Sequence, residues 1–190
     1  MKSLFLLLCV AVTGCGDYNA TVPVCINYPI NSTCGTGFFI LDNEMITAKH
    51  LVGDDTGLTL EILGPGINKK SSNYYTIGNT DSILVIFDET IADDPFTICD
   101  TVEINASVDM VGALGRWDDL SIVAAEVASY DDDSITLDVP IASKFSGGPI
   151  LDVPNKCVIG SISAYNDNET IGVNLTTQLL STALSSRNTM

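Results

Sequence analysis

The chain has 190 residues, 46% of them apolar, and carries 24 acidic against 8 basic residues for a formal net charge of -16. That length supports one compact unit with a sizeable core and excludes several large domains. So large an acidic excess excludes nucleic acid and anionic membrane surfaces as partners, since both demand basic patches, and solubility is its plain role.

The N-terminus pairs Lys2 with the apolar run from Leu4 to Val12, which has the length of a signal-peptide core and is too short to span a bilayer. Export is expected, with a leader over residues 1–15. The run ends in Val12-Thr13-Gly14-Cys15, which has the form of a bacterial lipobox with Cys15 as the lipidated residue; ordinary cleavage nearby is the equal alternative. A membrane tether is expected only through this N-terminus. Residues 16–33 read as an N-terminal extension. Beyond Cys9 and Cys15, the even set Cys25, Cys34, Cys99 and Cys157 in an exported chain suggests two disulfides. Three pairings are open; Cys25 with Cys34 and Cys99 with Cys157 is the favoured one, and buried free thiols are the alternative.

From residue 34 onward short β-rich runs alternate with turn residues: 37–41, 45–52, 58–63, 74–77 and 82–87. Ala92-Asp93-Asp94-Pro95 is acidic and contains a strand-breaking proline, so the internal boundary falls there. Similar runs resume at 101–114, 121–130, 134–139, 148–151, 157–164 and 170–175. Only 177–186 has helical spacing, with Leu179, Leu180, Ala183 and Leu184 on one face. The expectation is an all-β protein of two packed antiparallel barrels, over about 34–92 and 96–175, closed by a C-terminal helix. Asp93-Asp94 and Asp131-Asp132-Asp133 lack the spaced oxygens and glycine of a calcium loop, so neither a metal nor any other cofactor is expected. Five Asn-x-Ser/Thr sequons begin at Asn19, Asn31, Asn105, Asn168 and Asn174, and matter only in a host that glycosylates exported proteins.

The chemistry-bearing residues are few. His50 is the only histidine of the chain and follows Ile46-Thr47-Ala48-Lys49; Ser146 opens Ser146-Gly147-Gly148-Pro149. A serine hydroxyl that attacks a carbonyl must lose its proton, and a neutral imidazole is the side chain best matched to take it near neutral pH. The imidazole in turn needs a carboxylate to fix its tautomer. Asp81 is the candidate, because it opens the apolar run Ser82-Ile83-Leu84-Val85-Ile86-Phe87, where an acid without a partner would be costly.

Taken together, these segments resemble the trypsin-like serine proteases of the chymotrypsin fold, in the short form of bacterial and viral members, over roughly residues 34–186. Cys34-Gly35-Thr36-Gly37-Phe38-Phe39-Ile40 and Ile46-Thr47-Ala48-Lys49-His50 resemble the paired strands that lead to the catalytic histidine. Asp81-Ser82-Ile83-Leu84-Val85 resembles the strand of the catalytic aspartate, Ser146-Gly147-Gly148-Pro149-Ile150 the nucleophile motif, and Gly160-Ser161-Ile162-Ser163-Ala164 the strand that pairs with substrate. The order is that of the family, His then Asp then Ser, separated by 31 and 65 residues. The resemblance implies two six-stranded antiparallel barrels, a His50-Asp81-Ser146 triad, an oxyanion hole from the backbone N–H groups of Lys144 and Ser146, and a polypeptide substrate bound near Ile141, Ser161, Ser163, Ala164 and Tyr165.

Three departures stand out. Lys144-Phe145 precede Ser146 where the family has glycine and an acid, so the turn that aims the oxyanion donors is in question and no zymogen switch based on that acid is expected. The family's cysteine after the catalytic histidine is Leu51, so Cys34 has no partner there. No charged residue lies among the expected pocket positions Pro140, Ile141, Ser163, Ala164, Tyr165 and Gly172, which implies cleavage after small or medium apolar residues, with Tyr165 limiting depth. No separate peptide-binding domain is expected after the helix. A catalytically silent member that binds a partner through its substrate groove is the alternative function, and a surface lipoprotein of unrelated β fold the third.

Overall fold

The computed structural model describes residues 18–27, 32–53, 59–64, 67–113 and 119–176. The expected leader, Cys15 and the closing helix at 177–186 lie outside the described residues. Thirteen strands form two sheets among them. The first contains β1 (Thr21–Asn27), β2 (Ser32–Phe39), β3 (Glu44–Ala48), β4 (Leu60–Gly64), β5 (Ile67–Ser71), β6 (Tyr74–Thr76) and β7 (Ser82–Ile86), in the spatial order β5-β4-β1-β2-β3-β7-β6. The second contains β8 (Ser107–Ala113), β9 (Leu120–Tyr130), β10 (Ser134–Leu137), β11 (Pro149–Asp152), β12 (Cys157–Tyr165) and β13 (Thr170–Asn174), closed into a barrel in the order β10-β13-β12-β11-β8-β9. All strand pairs within the sheets are antiparallel.

The second unit is the six-stranded barrel expected, whereas the first is a seven-stranded barrel-like sheet. Two of its strands match no run read from sequence: β5, and β1, which lies inside the segment read as an extension. Val22, Val24 and Ile26 alternate along it and are fully buried in the interior of the first sheet, which makes it a core strand. Pro23 is tolerated in this central strand for a specific reason. It stands opposite Thr36 of β2, whose N–H is directed to Ser146 instead of to β1, and pairing with β4 begins only at Val24, so no partner requires the N–H that proline lacks. Cys25 and Cys34 occupy the next facing pair of the same type, 4.2 Å apart at Cα, and are joined by a disulfide.

β2, β3 and β7 bury both faces, which explains their nearly continuous apolar character. Phe39, Met45, Ile83 and Val85 point into the first sheet; Phe38, Ile46 and Leu84, one residue out of phase, meet Val111, Leu151, Val158 and Val173 of the second barrel. The connection between the units is pinned at both ends. The Phe96 N–H bonds to the Phe39 carbonyl and its ring meets Phe38 edge-on at 6.2 Å, while Cys99 is bonded to Cys157 at the start of β12. The favoured disulfide pairing is therefore the one present.

Candidate active site

β3 stops at Ala48, four residues earlier than the apolar run suggested, and passes into a single 3-10 turn, Lys49–Leu51. The pairing of β3 with β7 sets Ala48 opposite Ser82, so the residues just beyond each strand end, Lys49-His50 and Asp81, face one another across a gap of 31 residues in sequence. The Lys49 N–H donates to the Asp81 carbonyl at 2.8 Å. The His50 N–H donates to Asp81 Oδ1 at 2.9 Å, and His50 Nδ1 lies 2.7 Å from Asp81 Oδ2. One carboxylate thus holds both the backbone and the ring of the histidine, which fixes the ring orientation and leaves Nε2 as the nitrogen free of this contact.

Ser163 was expected to line a substrate pocket, and the structure gives its hydroxyl a different partner: Ser163 Oγ donates to Asp81 Oδ2 at 2.7 Å. The cause is a bulge. Ile162 pairs with Gly172 and Ala164 with Ile171, so Ser163 is the unpaired extra residue of β12 and its side chain is re-aimed toward the first sheet. At Asp81 burial raises the carboxyl pKa, but the hydrogen bonds from His50 and Ser163 and the neighbouring imidazole outweigh it and hold the value below that of an ordinary aspartate.

Ser146 follows a second 3-10 turn, Ser143–Phe145, and is buried. Its carbonyl accepts the Thr36 N–H at 2.8 Å, and the next N–H, from Gly147, reaches the Ile162 carbonyl at 2.7 Å. Gly147 has φ +84° and sits so tightly that a Cβ there would lie 2.3 Å from the Thr36 oxygen and 2.6 Å from the Ala48 nitrogen. The turn carrying Ser146 is therefore held between Thr47-Ala48, which lead to His50, and Ile162, which leads to Ser163. The Ser146 turn and the segment that leads to His50, far apart in sequence, thus meet at one junction between the two units.

The Lys144-Phe145 departure has a structural explanation. Phe145 is buried in the second barrel, with its ring against Gly112, where a Cβ would approach it to 2.8 Å. Packing thus occupies the position where the resemblance would have an acid. Lys144 is exposed, and the Ser146 N–H, one of the two expected oxyanion donors, bonds to the Ser143 carbonyl at 3.3 Å. Leu51, standing where the resemblance would have a cysteine, is buried against Gly35.

Of the expected substrate-contacting residues, Ala164 and Tyr165 are exposed at the end of β12, and Ile141 is half-buried against the second barrel. Ser161 is not at a surface: it is 1% exposed, with its hydroxyl enclosed and without a partner among the described residues. Sequence reasoning missed Thr36 and Thr47. The Thr47 hydroxyl donates to the Thr36 carbonyl at 2.7 Å, and the available signal was a buried-type polar residue between two glycines, Gly35-Thr36-Gly37.

The sequence matches no family model and no curated protein. The structure resembles solved ones. The Rv3671c protease from M. tuberculosis in its active form is 18% identical and superposes with a TM-score of 0.73 over 89% of this chain and 81% of that one; its inactive form gives 0.66 at 18% identity, over 90% and 89%. The serine protease of a human pathogenic astrovirus, also 18% identical, gives 0.65 over 84% of this chain and 91% of that one. Two barrel-like antiparallel sheets joined across Phe38, Ile46 and Val158, with almost no helix among the described residues, give this chain the chymotrypsin-like fold of the trypsin-like serine proteases.

Proposed function

We propose that the protein is a serine endopeptidase that works through an acyl-enzyme, with Ser146 as nucleophile, His50 as general base and then general acid, and Asp81 as the group that orients His50. The observation that carries this reading is the double grip of Asp81 on His50, through N and Nδ1, at the junction where the Ser146 turn is tied to β2, β3 and β12. Attack by Ser146 Oγ on the scissile carbonyl transfers its proton to His50; the imidazolium, stabilised by Asp81, then protonates the leaving amine, and water repeats the sequence to release the acyl group. The negative charge on the substrate oxygen is met by the N–H groups of Lys144 and Ser146. The Ser146 N–H must first leave the Ser143 carbonyl, and the 3.3 Å length of that bond makes the exchange inexpensive.

The substrate is a polypeptide, cut after small or medium apolar residues. Ile141, Ala164 and Tyr165 support this choice, since they offer apolar walls and no charge, and the half-exposed Tyr165 limits the depth of the pocket. Two disulfides favour an oxidising, exported setting, in line with the apolar leader. The direct test is labelling of the folded protein by a fluorophosphonate, beside Ser146→Ala and His50→Ala. Labelling that disappears in the first variant and falls steeply in the second is expected. A folded protein that does not label would make the binding-module alternative the better reading, and a peptide-library profile dominated by Arg, Lys or Glu would refute the apolar preference.

A further inference from the structure

Thr36 is fully buried in β2, and each of its polar atoms is used at the junction between the two units. Its N–H donates to the Ser146 carbonyl at 2.8 Å and its carbonyl accepts the Thr47 hydroxyl at 2.7 Å. Its own hydroxyl donates to the Lys144 carbonyl at 2.9 Å and accepts the Ala113 N–H, at the end of β8, also at 2.9 Å. One side chain and the two peptide units flanking it thus connect the strand that leads to His50, the edge of the second barrel, and two carbonyls of the Ser146 turn.

The consequence appears when the turn is taken peptide by peptide. The Lys144–Phe145 peptide is held at its carbonyl by Thr36 Oγ1 and at its N–H by the Ala142 carbonyl, at 3.2 Å. The Phe145 carbonyl accepts the Gly148 N–H at 2.8 Å, and the Ser146–Gly147 peptide is held at both ends, by Thr36 and Ile162. The Ser143–Lys144 peptide, which carries the Lys144 N–H, is tied through its carbonyl by the longest of these bonds, 3.3 Å from Ser146 N.

We infer that the Thr36 hydroxyl is a positioning group for the oxyanion donors: it immobilises the Lys144–Phe145 peptide, so that only the Ser143–Lys144 peptide turns when substrate arrives. This inference rests on Ser146 being the nucleophile. Lys144 and Phe145 give the turn neither a glycine nor an acid to anchor it, and the hydroxyl supplies the anchor from the opposite unit. Removing it takes away the Lys144 carbonyl's bond from Thr36 and the partner of the buried Ala113 N–H without changing the shape of the side chain, if valine is the replacement.

The experiment compares Thr36→Val, Thr36→Ala and Thr36→Ser with the unaltered protein in thermal unfolding, fluorophosphonate labelling rate, and kcat and KM on a peptide substrate. Expected are folded Val and Ala variants whose labelling rate and kcat fall by roughly 10- to 100-fold with KM little changed, and a Ser variant that recovers most of the rate. A Val variant that labels at the unaltered rate overturns the inference. So does a Ser variant as slow as Val, which would assign the effect to packing, and so does unfolding of both Val and Ala, which would make the hydroxyl a requirement for folding only. If the unaltered protein itself fails to label, the protease reading fails separately. Amide exchange at Phe145 then decides the Thr36 anchor, with faster exchange in Thr36→Val supporting it and unchanged exchange overturning it.

Discussion

Ser163 and His50 converge on one oxygen of Asp81: Ser163 Oγ and His50 Nδ1 each lie 2.7 Å from Oδ2, the first from the second barrel and the second from the first sheet. The carboxylate that orients the imidazole is thereby also a bond between the two units. Its angle toward His50 depends on how they are docked, and on the β12 bulge that turns Ser163 toward it.

Ser163→Ala removes one of the hydrogen bonds that keep Asp81 ionised and aimed. Such a bond to a charged acceptor contributes about 1.5 to 3 kcal/mol, and expression of about half of it in the transition state lowers kcat by roughly 4- to 12-fold. Steady-state kinetics should show this fall with KM nearly unchanged, and an equal activity would remove Ser163 from the machinery.

Asp81→Asn should reduce kcat by roughly 10³- to 10⁴-fold, because an amide that donates to Nδ1 favours the wrong tautomer of His50. The pH dependence of stability follows from the same interactions. A carboxyl held below its ordinary value of 3.8 in the folded protein contributes stability that is complete above that value and is lost as pH falls through the lower folded value. Thermal midpoints followed through this acid range should fall more steeply for the unaltered protein than for Asp81→Asn.

At Gly147 a methyl group has no room and no favourable backbone conformation. Gly147→Ala would carry φ +84° and force a Cβ toward the Thr36 oxygen and the Thr47 hydroxyl. We expect lower thermal stability together with loss of fluorophosphonate labelling, since relief of the clash displaces the Ser146 turn from β3. Unchanged labelling would show that the turn can shift without harm.

The two disulfides should contribute unequally. In the chain-entropy account, closure of the loop between Cys99 and Cys157, 58 residues apart, contributes about 4 kcal/mol, against about 2.5 kcal/mol for Cys25 and Cys34, 9 residues apart. Denaturant unfolding of the paired alanine variants should therefore show the larger loss for Cys99/Cys157. The reverse order would mean that the β1–β2 hairpin depends on its crosslink more than loop closure implies.

Much of the fold was legible because strand patterning is local. Short β-rich runs bounded by turn residues identified β3, β7, β10 and β12 within a few residues, and the acid-and-proline segment at 92–95 falls between the two sheets. β1 was not legible: Pro23 and the neighbouring cysteine give the sequence of an edge or a loop, and only the partner strand's choice of Ser146 over β1 makes a proline harmless there. The single histidine and the acid at the head of an apolar strand identified His50 and Asp81 as a pair, because each residue type is costly or rare in its setting. The strand of Ser163 was legible but its bond to Asp81 was not, since a bulge of one residue reverses the direction of a side chain and leaves no mark in composition.

By itself, then, the sequence determined the chemistry on offer: one imidazole, an acid needing a partner, a serine before two glycines, and strands enough for two sheets. Those are properties of residue types and of the two-residue period, and they are carried by the chain wherever it goes. The tertiary structure decided which groups meet. The register Ala48 to Ser82 sets Asp81 against His50, the bulge at Ser163 adds a third group, and Thr36 binds the Ser146 turn across the junction. Each of these depends on pairings between segments tens of residues apart, where a shift of one position would send the same side chains to opposite faces.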